Sequence, residues 1–369
     1  MSQEDAVTGQ PAPSPLKQLD GLFIEHPAFM DTLSYILFEL SVQDELAEPP
    51  CYYVTGPTGI GKSTLIASLL EHYPRIVDDV RTDMPDGTVR ISDRVPMVST
   101  TMRPQPTANG LLRSMLKELG DKGWKSGDRE ELQNRLTLQA QACRTRTIIV
   151  DEAQRAVDRD GVLRRYDIAE VLRDINESTG ITIILFGMGR TRHLFDHDSQ
   201  IWRRFEDEIV VPPFEWGEDD GSGAVPECRQ CFISLLVTYR DQMPLPFAAS
   251  VDVEDPEVAL RFFYVSRGVV GLLKKLLLRA VKIALRMQSA EITEAILNEA
   301  FDRAFHKDVK AESLVNPWGP LWNRQLPVPL VHRDEIAKPK KRPRKSGPRS
   351  NRSRKSDRRA EVLQALTLG

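Results

Sequence analysis

The chain has 369 residues, 41 % of them hydrophobic, which allows two domains and a flexible end; the polar start lacks an apolar leader core and no run of 18 apolar residues occurs, so a membrane span is not expected and the chain reads as cytoplasmic. Its four cysteines (Cys51, Cys143, Cys228, Cys231) are too few and scattered for a disulfide framework, and Cys228-x-x-Cys231 has no second Cys or His pair to complete a zinc site. The net charge of −3 is unevenly placed: Lys338 to Arg359 carries +11, which with Glu361 leaves residues 1–337 at −13, and a basic end on an acidic body points to a polyanionic partner.

Along the chain, residues 1–19 read as a flexible lead. Asp20 to Val42 has apolar residues at helical spacing (Phe23, Phe29, Leu33, Ile36, Leu40), which predicts one or two helices packed in front of a sheet. Tyr52 to Thr55 is a β-prone run, and a helix is predicted from Ser63 to His72. Asp86-Gly87 between two β-prone runs signals a hairpin. A strand over 96–100 leads to helices over 107–119, capped by Thr107 or Asn109, and over 129–141. Thr147 to Val150 is a continuous apolar strand, followed by a helix over 166–177, a strand over 181–186 ended by Gly187, a helix over 194–204 and a last strand over 208–211 closed by Pro212-Pro213. Alternating strands and helices predict an α/β fold, a parallel sheet with helices on both faces, spanning residues 20–216.

After the acidic, Gly-rich segment 217–223 only helices are expected, forming a small all-α lid over 224–306. Leu272, Leu273, Leu276, Leu277, Ala280, Ile283 and Ala284 line one face of its most regular helix, with Lys274, Lys275, Arg279, Lys282 and Arg286 around the rest. A helix restarting near Ser289 is expected to end at Phe305. A Pro-rich extension with Trp318 and Trp322 covers 307–337. The basic tail, 338–369, has no apolar residue between Lys338 and Arg359 and cannot build a core there.

Two motifs carry chemistry. Gly56-Pro57-Thr58-Gly59-Ile60-Gly61-Lys62-Ser63 is a full phosphate-binding loop, G-x-x-x-x-G-K-[ST], between a strand and a helix. The glycines let backbone N–H groups close round phosphate, and the following helix, with Thr64 in its first turn, adds its positive end. Lys62 is expected to reach the β- and γ-phosphates, and Ser63 to place its hydroxyl on Mg²⁺. The apolar strand 147–150 ends in Asp151-Glu152. A carboxylate at such a tip faces the ligand crevice, so Asp151 is expected to hold the magnesium and Glu152 to polarise an attacking water. The pair favours ATP hydrolysis over transfer to a small acceptor.

With Trp202-Arg203-Arg204-Phe205 before Val211-Pro212-Pro213-Phe214, the segment Ser266 to Leu277 and Asn316-Pro317-Trp318, these motifs resemble an AAA+ ATPase of the TnsC/TniB class of transposition regulators over roughly residues 20–320. The resemblance implies that Arg203 or Arg204 acts as a finger on the neighbouring subunit's γ-phosphate. The sensor positions depart from common usage. No Asn ends the strand at Gly187, where Thr191 is the nearest hydroxyl, and Gly271 stands where many relatives have Arg, with Lys274 one turn on as a substitute nucleotide contact. Slow, switch-like turnover follows. The resemblance further implies ATP-linked homo-oligomers, a ring or helical filament, on duplex DNA held through its phosphates, with Thr100, Thr101 and Arg103 as DNA-facing candidates. It also implies recruitment of a transposase and a target-selection protein of unknown identity, the basic tail serving either as a DNA arm or as a partner hook. The alternatives are an initiator, helicase-loader or secretion-assembly ATPase, or a nucleotide-binding scaffold without hydrolysis.

Overall fold

The computed structural model describes residues 14–46, 48–83, 86–158, 162–196, 203–205, 207–218, 225–312 and 314–327. The basic tail and most of the expected flexible lead fall outside these residues. Five parallel strands form the central sheet: β1 (Cys51–Thr55), β4 (Met97–Thr101), β5 (Thr147–Asp151), β6 (Thr182–Gly187) and β7 (Asp207–Val210), in the order β4-β5-β6-β1-β7. A separate antiparallel hairpin, β2 (Ile76–Asp83) and β3 (Val89–Arg94), leaves the sheet before β4, and Asp86 turns it by accepting the Thr88 N–H at 2.9 Å.

Period-two alternation divides the sheet between two apolar layers. Tyr53, Ile148, Val150, Ile183 and Leu185 meet α4 (Ala108–Glu118), α5 (Arg129–Ala142) and α6 (Val162–Thr179). Tyr52, Val54, Ile149, Ile184 and Phe186 meet α2 (Pro27–Val42) and α3 (Lys62–His72). Local chemistry sets the helix starts. Thr107 caps α4 by accepting the Gly110 N–H at 3.0 Å, and Asp128 and Glu131 close a capping box on α5.

The lead is shorter than expected. Residues 15–21 form α1 (Pro15–Gly21), with Pro15 in its first turn, Ser14 as its cap and Leu19 fully buried in the core of the helical region. That region contains α7 (Glu227–Gln242), α8 (Pro256–Ser266), α9 (Val270–Met287) and α10 (Glu294–Glu312). Leu273, Leu276, Leu277, Ala280, Ile283 and Ala284 of α9 are buried as their spacing predicts, while Leu272 lies at the seam between this core and the α2–α3 layer. Helix α10 runs on to Glu312, past the expected stop at Phe305. The stretch after it packs onto the lid: Trp318 meets Phe262 edge-on at 5.4 Å, Trp322 meets Tyr264 at 4.7 Å, and the Asn316 amide donates to Asn298 and Asp302. A 3₁₀ turn, Gly189–Leu194, leads into the span expected to be a helix over 194–204; residues 197–202 of it lie outside those described, and Arg203 and Arg204 at its end are helical.

Candidate nucleotide site

The parallel register brings the C-terminal tips of β1, β5 and β6 to one edge, with Thr55 opposite Gly187. Over them lies a cleft of about 280 Å³ lined by Thr58, Gly59, Gly61, Lys62, Ser63, Thr64, Asp151, Glu152, Gln154, Gly187 and Met188. Gly59 (φ 87°) and Gly61 (φ 111°) occupy the left-handed region, which bends the loop into a cradle that a side chain would strain. Lys62 opens α3, and its ammonium donates to the carbonyls of Gly56 at 2.7 Å and Pro57 at 3.0 Å, so the cation is held inside the loop. Gly56, Pro57 and Ile60 shape the loop from behind; Ile60 packs into the α2–α3 layer.

Asp151 ends β5, and its Oδ1 accepts the Glu152 N–H at 2.7 Å. Burial pushes its carboxyl above the usual range, and the Glu152 charge adds to this; the Glu152 N–H, Lys62 and Arg155 oppose it. Glu152 has left-handed backbone (φ 58°), which turns the chain sharply after the strand. Its Oε2 takes two donors, Gln154 Nε2 at 3.1 Å and Arg155 Nη2 at 2.9 Å.

The first turn of α9 rests on the loop. Gly271 N donates to Gly59 O at 2.9 Å, and a Cβ on Gly271 would lie 2.7 Å from that oxygen. Three residues earlier, Gly268 (φ 75°) is pressed against the Phe214 backbone, whose N–H donates to Gly268 O at 2.9 Å. Only glycine fits at either position.

The two arginines before β7 differ. Arg204, with 17 % of its side chain exposed, bonds Asn176 Oδ1 at 3.1 Å and pairs with Glu48 and Glu177 at 3.4 Å. Arg203 is 75 % exposed, with Glu48 at 3.7 Å.

Some expected site residues are not brought together. Lys274 lies outside the cleft lining; its ammonium donates to the carbonyls of Asp20 and Leu22, which ties α9 to the C-terminal end of α1. Thr100 is buried in β4, where it pairs with Val150, and has no surface to offer DNA; Thr101 and Arg103 are exposed. Part of the basic face of α9 is engaged within the chain, with Lys275 over the Phe305 ring at 4.2 Å and Arg286 paired with Glu299 at 2.7 Å, while Arg279 and Lys282 are exposed. Two cleft residues had no assigned role in the sequence: Gln154, two residues after Glu152, and Met188, which carries no sequence signal.

Strand order, loop and acidic strand tip define a P-loop NTPase of the AAA+ class, and solved structures with the same fold agree. The ORC1 protein of Aeropyrum pernix in complex with DNA superposes with a TM-score of 0.55 at 16 % identity, covering 80 % of this chain and 70 % of that one. Cdc6p from Pyrobaculum aerophilum gives 0.54 at 13 %, covering 78 % and 70 %. The Aeropyrum pernix ORC2 protein, in ADPNP and ADP complexes, gives 0.51 at 13 %, covering 81 % and 74 %. At these identities the likeness is one of fold. No curated protein matches the chain by sequence. The model of the family described as bacterial TniB protein matches residues 18–216, and the chain belongs to that family. Among the described residues no helix is long and apolar enough to cross a membrane.

Proposed function

We propose that this chain is an ATP-dependent switch in DNA transposition: it assembles on duplex target DNA with ATP bound, recruits and activates a transposase, and disassembles on hydrolysis. The observation that carries the reading is the convergence of Lys62, Ser63, Asp151 and Glu152 on one cleft in a TniB-family chain. The backbone of 56–61 and Lys62 would bind the β- and γ-phosphates. Ser63 and Asp151 are hard oxygen donors on the same cleft, and burial of Asp151 favours a cation beside it, so the pair fits Mg²⁺. Bound there, the ion would neutralise charge on the phosphates. Glu152 would take the proton of the attacking water.

Arg203 is the better placed of the two arginines to act on a neighbouring subunit, because Arg204 is held within its own subunit by Asn176, Glu48 and Glu177. A head-to-tail contact that completes the site would make assembly ATP-linked. Thr101, the exposed last residue of β4, and Arg103, exposed just after it, would face DNA phosphates. The core of residues 20–216, the lid from 224 and the tail from 338 would divide the work among nucleotide, coupling and partner. DNA retention on a filter is the test, with and without ATP, across salt. ATP-dependent, sequence-indifferent binding whose log affinity falls with log salt by about 0.9 per phosphate neutralised supports the reading. Tight binding to one sequence without ATP would point instead to an initiator-like reader.

A further inference from the structure

The tip of β6 bears glycine beside the carboxylate expected to activate water. A Cβ on Gly187 would lie 2.2 Å from Thr191 Oγ1 and 2.9 Å from Gln154 Oε1. The missing side chain is therefore replaced by two oxygens from other residues. Both are buried and neither has a hydrogen-bond partner among the described residues; Thr191 is 0 % exposed and Gln154 6 %. The other end of the Gln154 amide donates from Nε2 to Glu152 Oε2 at 3.1 Å. That bond fixes the amide's orientation, because a carboxylate oxygen can accept only from the NH₂ group. Gln154 Oε1 must then face Gly187 and Thr191. Glu152 Oε2 is taken by Gln154 and Arg155, while Oε1 makes no hydrogen bond among the described residues.

We propose that Thr191, Gln154 and Glu152 form a positioning relay through the space left by Gly187, and that it replaces the polar side chain absent from the tip of β6. The Thr191 hydroxyl donates to Gln154 Oε1 as the site tightens on nucleotide. Gln154 Nε2 holds Glu152 Oε2, which turns Glu152 Oε1 to the water. The relay rests on the ATPase reading above. In the step it serves, the water oxygen bonds to the γ-phosphorus and its proton passes to Glu152 Oε1. The bond from phosphorus to the bridging oxygen breaks, its electron pair staying on ADP. Thr191 and Gln154 exchange no proton with substrate; they are positioning residues.

The test uses the full chain with Thr191→Val, Thr191→Ser, Gln154→Leu and the double variant Thr191→Val/Gln154→Leu. Measurements are nucleotide-free thermal unfolding, ATP affinity, and kcat and KM for phosphate release. Thr191→Val removes a buried hydroxyl that has no partner among the described residues, so the free protein should melt at the wild-type temperature or above it. ATP affinity should stay within about threefold, and kcat should fall about ten- to a hundredfold, the usual effect of a misplaced catalytic group. Thr191→Ser should restore turnover. The double variant should be no slower than Gln154→Leu alone, because residues in one relay do not act additively. A wild-type chain that hydrolyses ATP while Thr191→Val keeps full kcat, or effects that multiply in the double variant, would overturn the relay alone. A wild-type chain that binds ATP but releases no phosphate under any condition would overturn the ATPase reading and the relay with it.

Discussion

Arg155 joins the carboxylate at the tip of β5 to the loop after β4. Its Nη2 lies 2.9 Å from Glu152 Oε2, and its Nη1 donates to the Met102 carbonyl at 2.7 Å. Met102 sits between Thr101 and Arg103, the exposed residues proposed to meet DNA. One side chain thus spans the proposed polyanion surface and the group proposed to activate water. Arg155→Ala should lower basal turnover, because Glu152 Oε2 loses its closer donor, and should also abolish any change in rate when duplex DNA is added, since the link between loop and carboxylate is cut. A variant whose ATPase responds to DNA like the wild type would remove Arg155 from the coupling.

Lys62→Ala takes away the side-chain cation of the phosphate loop and leaves the Gly56 and Pro57 carbonyls without its bonds. Isothermal titration should show ATP binding lost. Glu152→Gln keeps the shape and both donors' partner but removes the base, so affinity should persist while phosphate release falls about a hundredfold or more. Wild-type affinity in the Lys62 variant would sink the site assignment.

Arg203 and Arg204 should separate cleanly. Arg204→Ala removes three partners from a mostly buried guanidinium and should cost about 1–2 kcal/mol of stability in denaturant unfolding. Arg203→Ala should leave stability unchanged and lower assembled turnover about a thousandfold, as loss of a trans-acting arginine does. Mixing it with Lys62→Ala subunits should recover activity at joints that pair an intact loop with an intact arginine. Absence of recovery at every ratio, with both proteins folded, counts against a shared site.

Gly271→Ala tests the seat of α9 on the loop. Alanine is the better helix former by roughly 0.8–1 kcal/mol, yet its Cβ would lie 2.7 Å from Gly59 O. The steric term should win: the variant should melt at a lower temperature and bind ATP more weakly. Raised stability with unaltered affinity would mean that the contact is loose enough to yield.

His26 caps α2 through Nδ1, which accepts the Phe29 N–H at 3.3 Å, and its ring packs on Phe214 at 4.9 Å. Burial lowers its pKa from the ordinary 6.5. The unfolded chain therefore takes up the proton first as pH falls. Stability from this group is fully present above pH 6.5 and is lost progressively below it, down to the depressed folded value. His26→Asn keeps a cap without the titration, so denaturant unfolding between neutral and mildly acidic pH should show a shallower loss than in the wild type. Equal slopes would show that other groups set the acid response.

Strands and the phosphate loop were legible because their signals are local: Thr147 to Val150 is apolar throughout, and the Gly-rich pattern fixes its own backbone. Thr107 could be named as a cap for the same reason. What was not legible depends on distant chain segments. Lys274 reads like a free cation on an amphipathic helix until the carbonyls of Asp20 and Leu22, some 250 residues away, are brought beneath it. Thr100 closes the strand read over 96–100 and offers a hydroxyl at its tip, but in the sheet, paired with Val150, that residue is buried. Residues 15–19 gave too short a pattern to distinguish a helix from a lead; burial of Leu19 against the lid decides it.

The glycine pair at 59 and 271 has a mechanical consequence. Helix α9 has 18 residues, a rod of about 27 Å at 1.5 Å per residue, and it is gripped at one end by the loop that would close on phosphate. A tilt of about 5° there would carry its far end about 2 Å, by the length of such a helix alone. Buried Leu276, Ala280 and Ile283 would pass that motion to α8 and α10 without slack. A change too small to alter the cleft visibly would arrive at the far side of the lid as a displaced surface, magnified by leverage.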